Sequence, residues 1–132
     1  MYLLDSNLFL ELFLDQVKAD KEEELLRSAP REKLHLSEFS LYSVGIILFH
    51  RKLYEVFAQF LDELVVKGGI RLLRLSLQDI EGLIAVAQKF DLDFDDVYQY
   101  VVAEKYGLEI ISFDGDFDRT ERGRKTPAQL EV

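Results

Sequence analysis

The sequence has no cysteine and only two histidines, His35 and His50. Neither disulfides nor thiolate zinc sites are possible, and two histidines are too few for a histidine-based metal centre. Any metal would have to be held by oxygen. No apolar run reaches the roughly 18 residues of a membrane span. The opening MYLLDSN lacks the basic stretch of a signal peptide, so a cytoplasmic protein is expected, with no membrane partner. Basic residues are also in short supply, 16 against 25 acidic ones, for a net charge of −9. That balance argues against holding nucleic acid by bulk electrostatics. It does not exclude a nuclease whose acids are neutralised by bound cations, and it suits a basic partner.

What is present is aspartate, unevenly placed. The segment FDLDFDDVYQYVVAEKYGLEIISFDGDFD, residues 90–118, carries seven of the chain's twelve aspartates in 29 residues. One group, Asp95 and Asp96, opens a predicted helix. Another, Asp114, Asp116 and Asp118, follows a predicted strand. Asp5 ends the first strand-like run. Acids collected at strand ends are what a hard cation such as Mg2+ or Mn2+ needs.

At 132 residues with 48% hydrophobic content, the chain suffices for one domain with a real core, taken here as 1–132. Strands are expected at 2–4, 34–36, 70–74 and 109–113. Leu8, Phe9, Leu12 and Phe13 recur at helical spacing, with Ser6 or Asn7 as cap. Residues 18–28 read as a second, solvated helix, and Pro30 as a turn. Ser37 caps a helix running to about His50. A further helix over 53–66 ends at Gly68-Gly69. Ser76 to Asp79 opens another in capping-box fashion, with Ile80, Leu83, Ile84 and Ala87 facing inward. Val97–Tyr106 is helical up to Gly107, and a last short edge strand is expected near Lys125-Thr126. Strands separated by helices predict an α/β domain: a three-layer α/β/α sandwich on a mostly parallel sheet of four or five strands. Ligands of such sheets bind beyond the carboxyl ends of the strands. Asp5, Glu38 and Asp114 fall there, and Asp96 opens the helix that feeds the last strand.

Carboxylates converging from distant positions repel one another unless a divalent cation or a shared proton relieves them. With magnesium such a set suits phosphodiester cleavage. Asp5-Ser6-Asn7, Asp96 opening VYQYVVAEKYGLEIIS, Ser112-Phe113-Asp114-Gly115-Asp116-Phe117 and the closing Thr126-Pro127-Ala128-Gln129-Leu130 together resemble the PIN domain. The resemblance spans nearly the whole chain and is most specific over 94–118. It implies a PIN-like fold and a Mg2+- or Mn2+-dependent endoribonuclease acting on RNA, similar to VapC-type toxins. It also implies an antitoxin partner and a homodimer, for which the aromatic helices over 37–66 offer an apolar face.

In the resemblance, Asp5, Asp96 and Asp114 correspond to metal-binding acids. The family's second acid would fall at Ser43, counting from Ser37. Glu38 is the acid nearby and stands as the candidate replacement at the strand end. The five residues from 38 to 43 turn roughly 140° about a helix. That departure motivates an alternative: a catalytically degenerate PIN-fold module for binding or assembly. Receiver and dehalogenase-like phosphatase folds fit worse, because Asp5 is followed by Ser-Asn rather than a second acid. Asp116 and Asp118 are expected to serve the turn, and Ser112 to orient an acid or a water. Arg119, Arg122, Arg124 and Lys125 form a basic patch that could grip an RNA backbone. His35 and His50 read as structural.

Overall fold

A computed structural model of the protein describes residues 1–14 and 29–130. The helix expected over 18–28 lies outside the described residues. Four short strands, β1 (Tyr2–Leu4), β2 (Leu34–Ser37), β3 (Arg71–Leu73) and β4 (Glu109–Ile111), form one parallel sheet in the order β3-β2-β1-β4. β1 pairs with β2 on one side and β4 on the other, with Leu4 opposite Leu36 and Ile111. The expected edge strand is reduced to one parallel bridge, Ile111 to Lys125. The Lys125 N–H donates to the Ile110 carbonyl, and Ser112 donates to the Lys125 carbonyl.

Alternation along the central strands makes the three layers. Successive side chains of a strand point to opposite faces. Leu3 and Ile110 join one core with Leu73, Leu83, Val97 and Tyr100. Leu4, Leu34, Leu36 and Ile111 join the other with Leu8, Phe9, Val44 and Phe60. The second face is covered by α1 (Ser6–Phe13), α2 (Glu38–His50) and α3 (Tyr54–Phe60). The first is covered by α4 (Leu77–Glu81), α5 (Leu83–Phe90) and α6 (Phe94–Tyr106). Among the described residues no helix is long and apolar enough to cross a membrane.

The helix starts follow local chemistry. Asp5, rather than Ser6 or Asn7, caps α1 by accepting the Ser6 N–H. Ser37 caps α2 through the Ser40 N–H at 3.0 Å. Ser76 and Asp79 form the capping box expected at α4. The helix expected to continue from there is interrupted at Gly82, whose N–H bonds to the Asp79 carbonyl three residues back. This tighter turn resets the helical phase. Leu83 turns into the core, and Ile84, expected inside, is 67% exposed. The helix expected over 53–66 changes character after Phe60, where Leu61–Val66 form a wider π-helical turn. α6 stops at Gly107, which adopts the left-handed conformation (φ 67°) that glycine takes without steric cost.

Candidate metal centre

The carboxyl ends of β1 and β4 lie side by side, tied by the Asp5 N–H to the Ile111 carbonyl at 3.0 Å. The next residues, Asp5 and Ser112, therefore emerge together at the same edge. The Ser112 hydroxyl donates to Asp5 Oδ2 at 2.7 Å. The same oxygen accepts from Asn7 Nδ2 at 3.1 Å and from the Asp114 N–H at 2.9 Å. Ser112 is thus a hub joining Asp5-Ser6-Asn7 to the turn that carries Asp114. Asp5 Oδ1 accepts from the Ser6 N–H at 2.8 Å and from Gln99 Nε2 at 3.1 Å.

Asp114 caps a short 3-10 turn, Gly115–Arg119, by accepting the Asp116 N–H at 2.9 Å. Asp96 enters from the first turn of α6 and is only 5% exposed. One carboxylate oxygen from each of Asp96, Asp114 and Asp116 lies within 4.8 Å of the other two. Asp93, Asp95 and Asp96 form a second such group. The structure thus brings Asp96 and Asp114 together, links Asp5 to them through Ser112, and adds Asp116, for which the sequence suggested a turn or cap role ahead of a metal one.

Electrostatics reflect this crowding. Burial pushes the Asp5 carboxyl up, against hydrogen bonds from Ser112, Gln99 and Ser6 that pull it down. Asp96 is pushed up to about 8, first by burial and then by the charges of Asp114 and Asp95. A carboxyl that holds its proton at neutral pH belongs to a site short of positive charge. The donors are all carboxylate oxygens, and neither histidine takes part. His35 sits buried in β2 against the Tyr2 carbonyl, and His50 is exposed in the last turn of α2. Such a donor set fits Mg2+ or Mn2+.

Glu38 is elsewhere. Its Oε1 accepts from the Tyr42 hydroxyl at 2.5 Å, and its Oε2 lies 3.9 Å from Arg74 Nη1. It lines a groove of about 600 Å3 with Arg74, Ser76, Tyr98, Lys105 and Tyr106, and it is absent from both carboxylate groups. Ser43 is half-buried on α2. The basic patch is largely consumed internally. Arg119 pairs with Asp116 at 3.0 Å and donates to the Phe90 carbonyl at 3.1 Å and to the Asp91 carbonyl. Arg124 pairs with Asp118 and donates to the Ser112 carbonyl. Arg122 donates to the Leu108 carbonyl, and Lys125 pairs with Glu109. These side chains fasten the tail and the acid turn to the sheet.

Two residues at the site escaped the sequence reading. Ser40 and Gln99 are buried and bonded to each other, and Gln99 bonds to Asp5. The available signal was spacing: Gln99 stands three residues after Asp96, on the same helical face.

Comparison with known proteins follows the same lines. The model of the PIN domain matches residues 2–123. The fold is similar to a chain of a toxin-antitoxin complex from Klebsiella pneumoniae: 21% identity, 98% of this chain and 100% of that one, TM-score 0.76. It is also similar to Mycobacterium tuberculosis VapC20, described as a sarcin-ricin loop cleaving toxin: 18% identity, 89% and 93% coverage, TM-score 0.75. A third similar structure is FitAcB from Neisseria gonorrhoeae: 19% identity, 98% and 100% coverage, TM-score 0.73. No curated protein matches the sequence.

Proposed function

Because this chain belongs to the PIN domain family, we propose that it is a divalent-cation-dependent endoribonuclease, the toxin of a toxin–antitoxin pair. The observation that carries this is the convergence of Asp96, Asp114 and Asp116 at one sheet edge, with Asp5 joined to the Asp114 turn through the Ser112 hydroxyl and Asp96 held up to about 8. Asp5, Asp96 and Asp114 are the residues to hold Mg2+ or Mn2+, with Asp116 beside them. When bound, such a cation polarises a phosphate oxygen and lowers the pKa of a coordinated water. The protein's own part is preorganisation. The Ser112 hydroxyl fixes both acids, donating to Asp5 Oδ2 and accepting the backbone N–H of Asp114. Arg119 holds Asp116 while tying its turn to the loop before Asp96. Structured RNA is the substrate class suggested by the activity in VapC20's description. The test is Mg2+- or Mn2+-dependent cleavage of structured RNA that disappears in Asp96→Asn. Cleavage that persists in an Asp5→Asn, Asp96→Asn double variant sinks this function.

The partners follow from charge and exposed apolar surface. A net charge of −9 and an acid pole attract a basic antitoxin segment. α2 and α3 expose Tyr42, Ile46, Phe49 and Tyr54, each more than half exposed, around an apolar groove of about 390 Å3. An apolar face of this kind marks an interaction surface, and we assign it to a homodimer.

One observation favours a second reading. Serine stands at position 43, and the nearest acid, Glu38, is engaged with Tyr42 and Arg74. On that reading the domain binds or assembles without cleaving. Absence of Mn2+ binding at millimolar metal, measured by calorimetry, separates the inert module from the nuclease.

A further inference from the structure

Gln99 is buried to 2% exposure in α6, one turn beyond Asp96. Its Nε2 donates to Asp5 Oδ1 at 3.1 Å and to the Ser40 hydroxyl. Its Oε1 is buried and has no hydrogen-bond partner among the described residues. A buried acceptor left unpaired costs about 1–3 kcal/mol. A leucine would fill similar space without that cost, so packing alone does not account for an amide here.

The surroundings supply a reason. Among the described residues Asp5 has three donors: Ser6 and Gln99 on Oδ1, Ser112 on Oδ2. Gln99 is the donor contributed by the helix that also carries Asp96, so it links the two acids across the sheet edge. Ser40, whose N–H bonds to Ser37, accepts from the same amide nitrogen. A carboxylate at position 99 would add a further negative charge against Asp5, beside the gathered carboxylates of Asp96, Asp114 and Asp116. A neutral side chain that donates to Asp5 and still offers an oxygen avoids that repulsion.

We propose that Gln99 is a positioning residue and the neutral fourth member of the cation site: its N–H group holds Asp5 toward Asp96 and Asp114, and its Oε1 accepts from a water of the cation's hydration shell. This rests on the metal-centre reading above and adds a role for a buried side chain of α6.

The test uses the full chain, with Mn2+ titrated by calorimetry and thermal unfolding followed with and without Mn2+. Gln99→Leu is expected to bind Mn2+ about tenfold more weakly, the size of effect seen when a hydrogen-bond partner of a metal ligand is removed. Its metal-free unfolding temperature should match or exceed wild type, a split that a purely structural role would not produce. Wild-type affinity in Gln99→Leu overturns the proposal. Gln99→Glu provides a variant that keeps the side-chain shape. Mn2+ should raise its unfolding temperature more than it raises that of wild type, because the cation relieves the added repulsion. Equal rises in the two proteins overturn the proposal as well. If wild type binds Mn2+ yet cleaves no RNA, weaker binding by Gln99→Leu supports the role of Gln99 while the nuclease reading falls. A wild type that binds no Mn2+ removes both.

Discussion

Asp79 and Asp96 each stand in the first turn of a helix, α4 and α6, that packs on the same face of the sheet. The helix dipole favours an ionised acid at both. Their carboxyls nevertheless shift in opposite directions. Asp79 is lowered to about 2, chiefly by the hydrogen bond from Lys105, with Ser76 assisting. Asp96 is raised to about 8 by burial and by Asp114 and Asp95. In the groove that Glu38 lines, the acids have cationic partners. At the carboxyl ends of β1 and β4, Asp5 and Asp96 have none among the described ion pairs. The comparison teaches that the count of acids does not mark a cation site. What marks it is acids whose charge the protein leaves unbalanced.

The largest effect should come from cancelling that imbalance. Asp96→Asn is expected to reduce Mn2+ affinity and RNA cleavage by at least about 100-fold, beyond the effect of removing a residue that only hydrogen-bonds to a ligand. The metal-free protein should be no less stable at neutral pH. Asp79→Asn should leave Mn2+ affinity within about twofold of wild type, as remote surface changes do. If both variants lose affinity alike, the distinction between the two regions fails.

The same contrast has a pH signature. In the unfolded chain Asp96 ionises near its ordinary 3.8, whereas in the fold it keeps its proton to about 8. Between those values the folded state binds more protons, so stability of the metal-free protein falls as pH rises through that window and levels off above it. Asp79 works the other way: its contribution is present above its unfolded value and is lost as pH falls toward 2. Thermal unfolding from pH 4 to 9 should show the decline in wild type and a flatter profile in Asp96→Asn. Saturating Mn2+ should shrink the decline in wild type.

A smaller effect is expected at Arg119, which bridges the two loops of the acid pole. It pairs with Asp116 and donates to the Phe90 and Asp91 carbonyls that precede the Asp93–Asp96 group. Arg119→Ala removes hydrogen bonds worth about 1 kcal/mol each at most, discounted for exposure. It should lower the unfolding temperature by a few degrees and weaken Mn2+ binding severalfold, since it loosens the separation of Asp96 from Asp116. Unchanged affinity with lowered stability would confine Arg119 to fastening the tail.

These contrasts also show what the sequence could carry. The alternation of strands and helices was legible because β1 and β4 are short apolar runs ending at acids. Asp5, Asp96 and Asp114 stand out as candidates by their positions after those strands and at a helix start, and the family resemblance singles out Asp96 from Asp95. Gln99 was not, because a buried amide within VYQYVV reads as one polar position on an apolar helix, and only the packing of Ser40 and Asp5 against it reveals its task. Ile84 was misplaced because the phase change at Gly82 depends on a single backbone hydrogen bond. The arginines after Asp118 read as a surface patch because carbonyl partners, which carry no sequence signature, absorb most of them.

The smallest expected effect is at Glu38, and it bears most directly on the comparison. Glu38 follows β2 at the same carboxyl edge as Asp5, so strand position alone would assign it to the acid pole. Its contacts assign it to the groove: Oε1 takes the Tyr42 hydroxyl at 2.5 Å, and Oε2 faces Arg74 at 3.9 Å. Glu38→Gln keeps an oxygen acceptor for Tyr42 and removes a charge from a loose, largely solvated ion pair, which is worth at most about 1 kcal/mol. Mn2+ affinity measured by calorimetry should therefore stay within about twofold of wild type. A tenfold loss would mean that the Glu38 carboxylate leaves Tyr42 to join Asp5 and Asp114 when the cation binds. The boundary between the balanced and unbalanced regions would then depend on the cation itself.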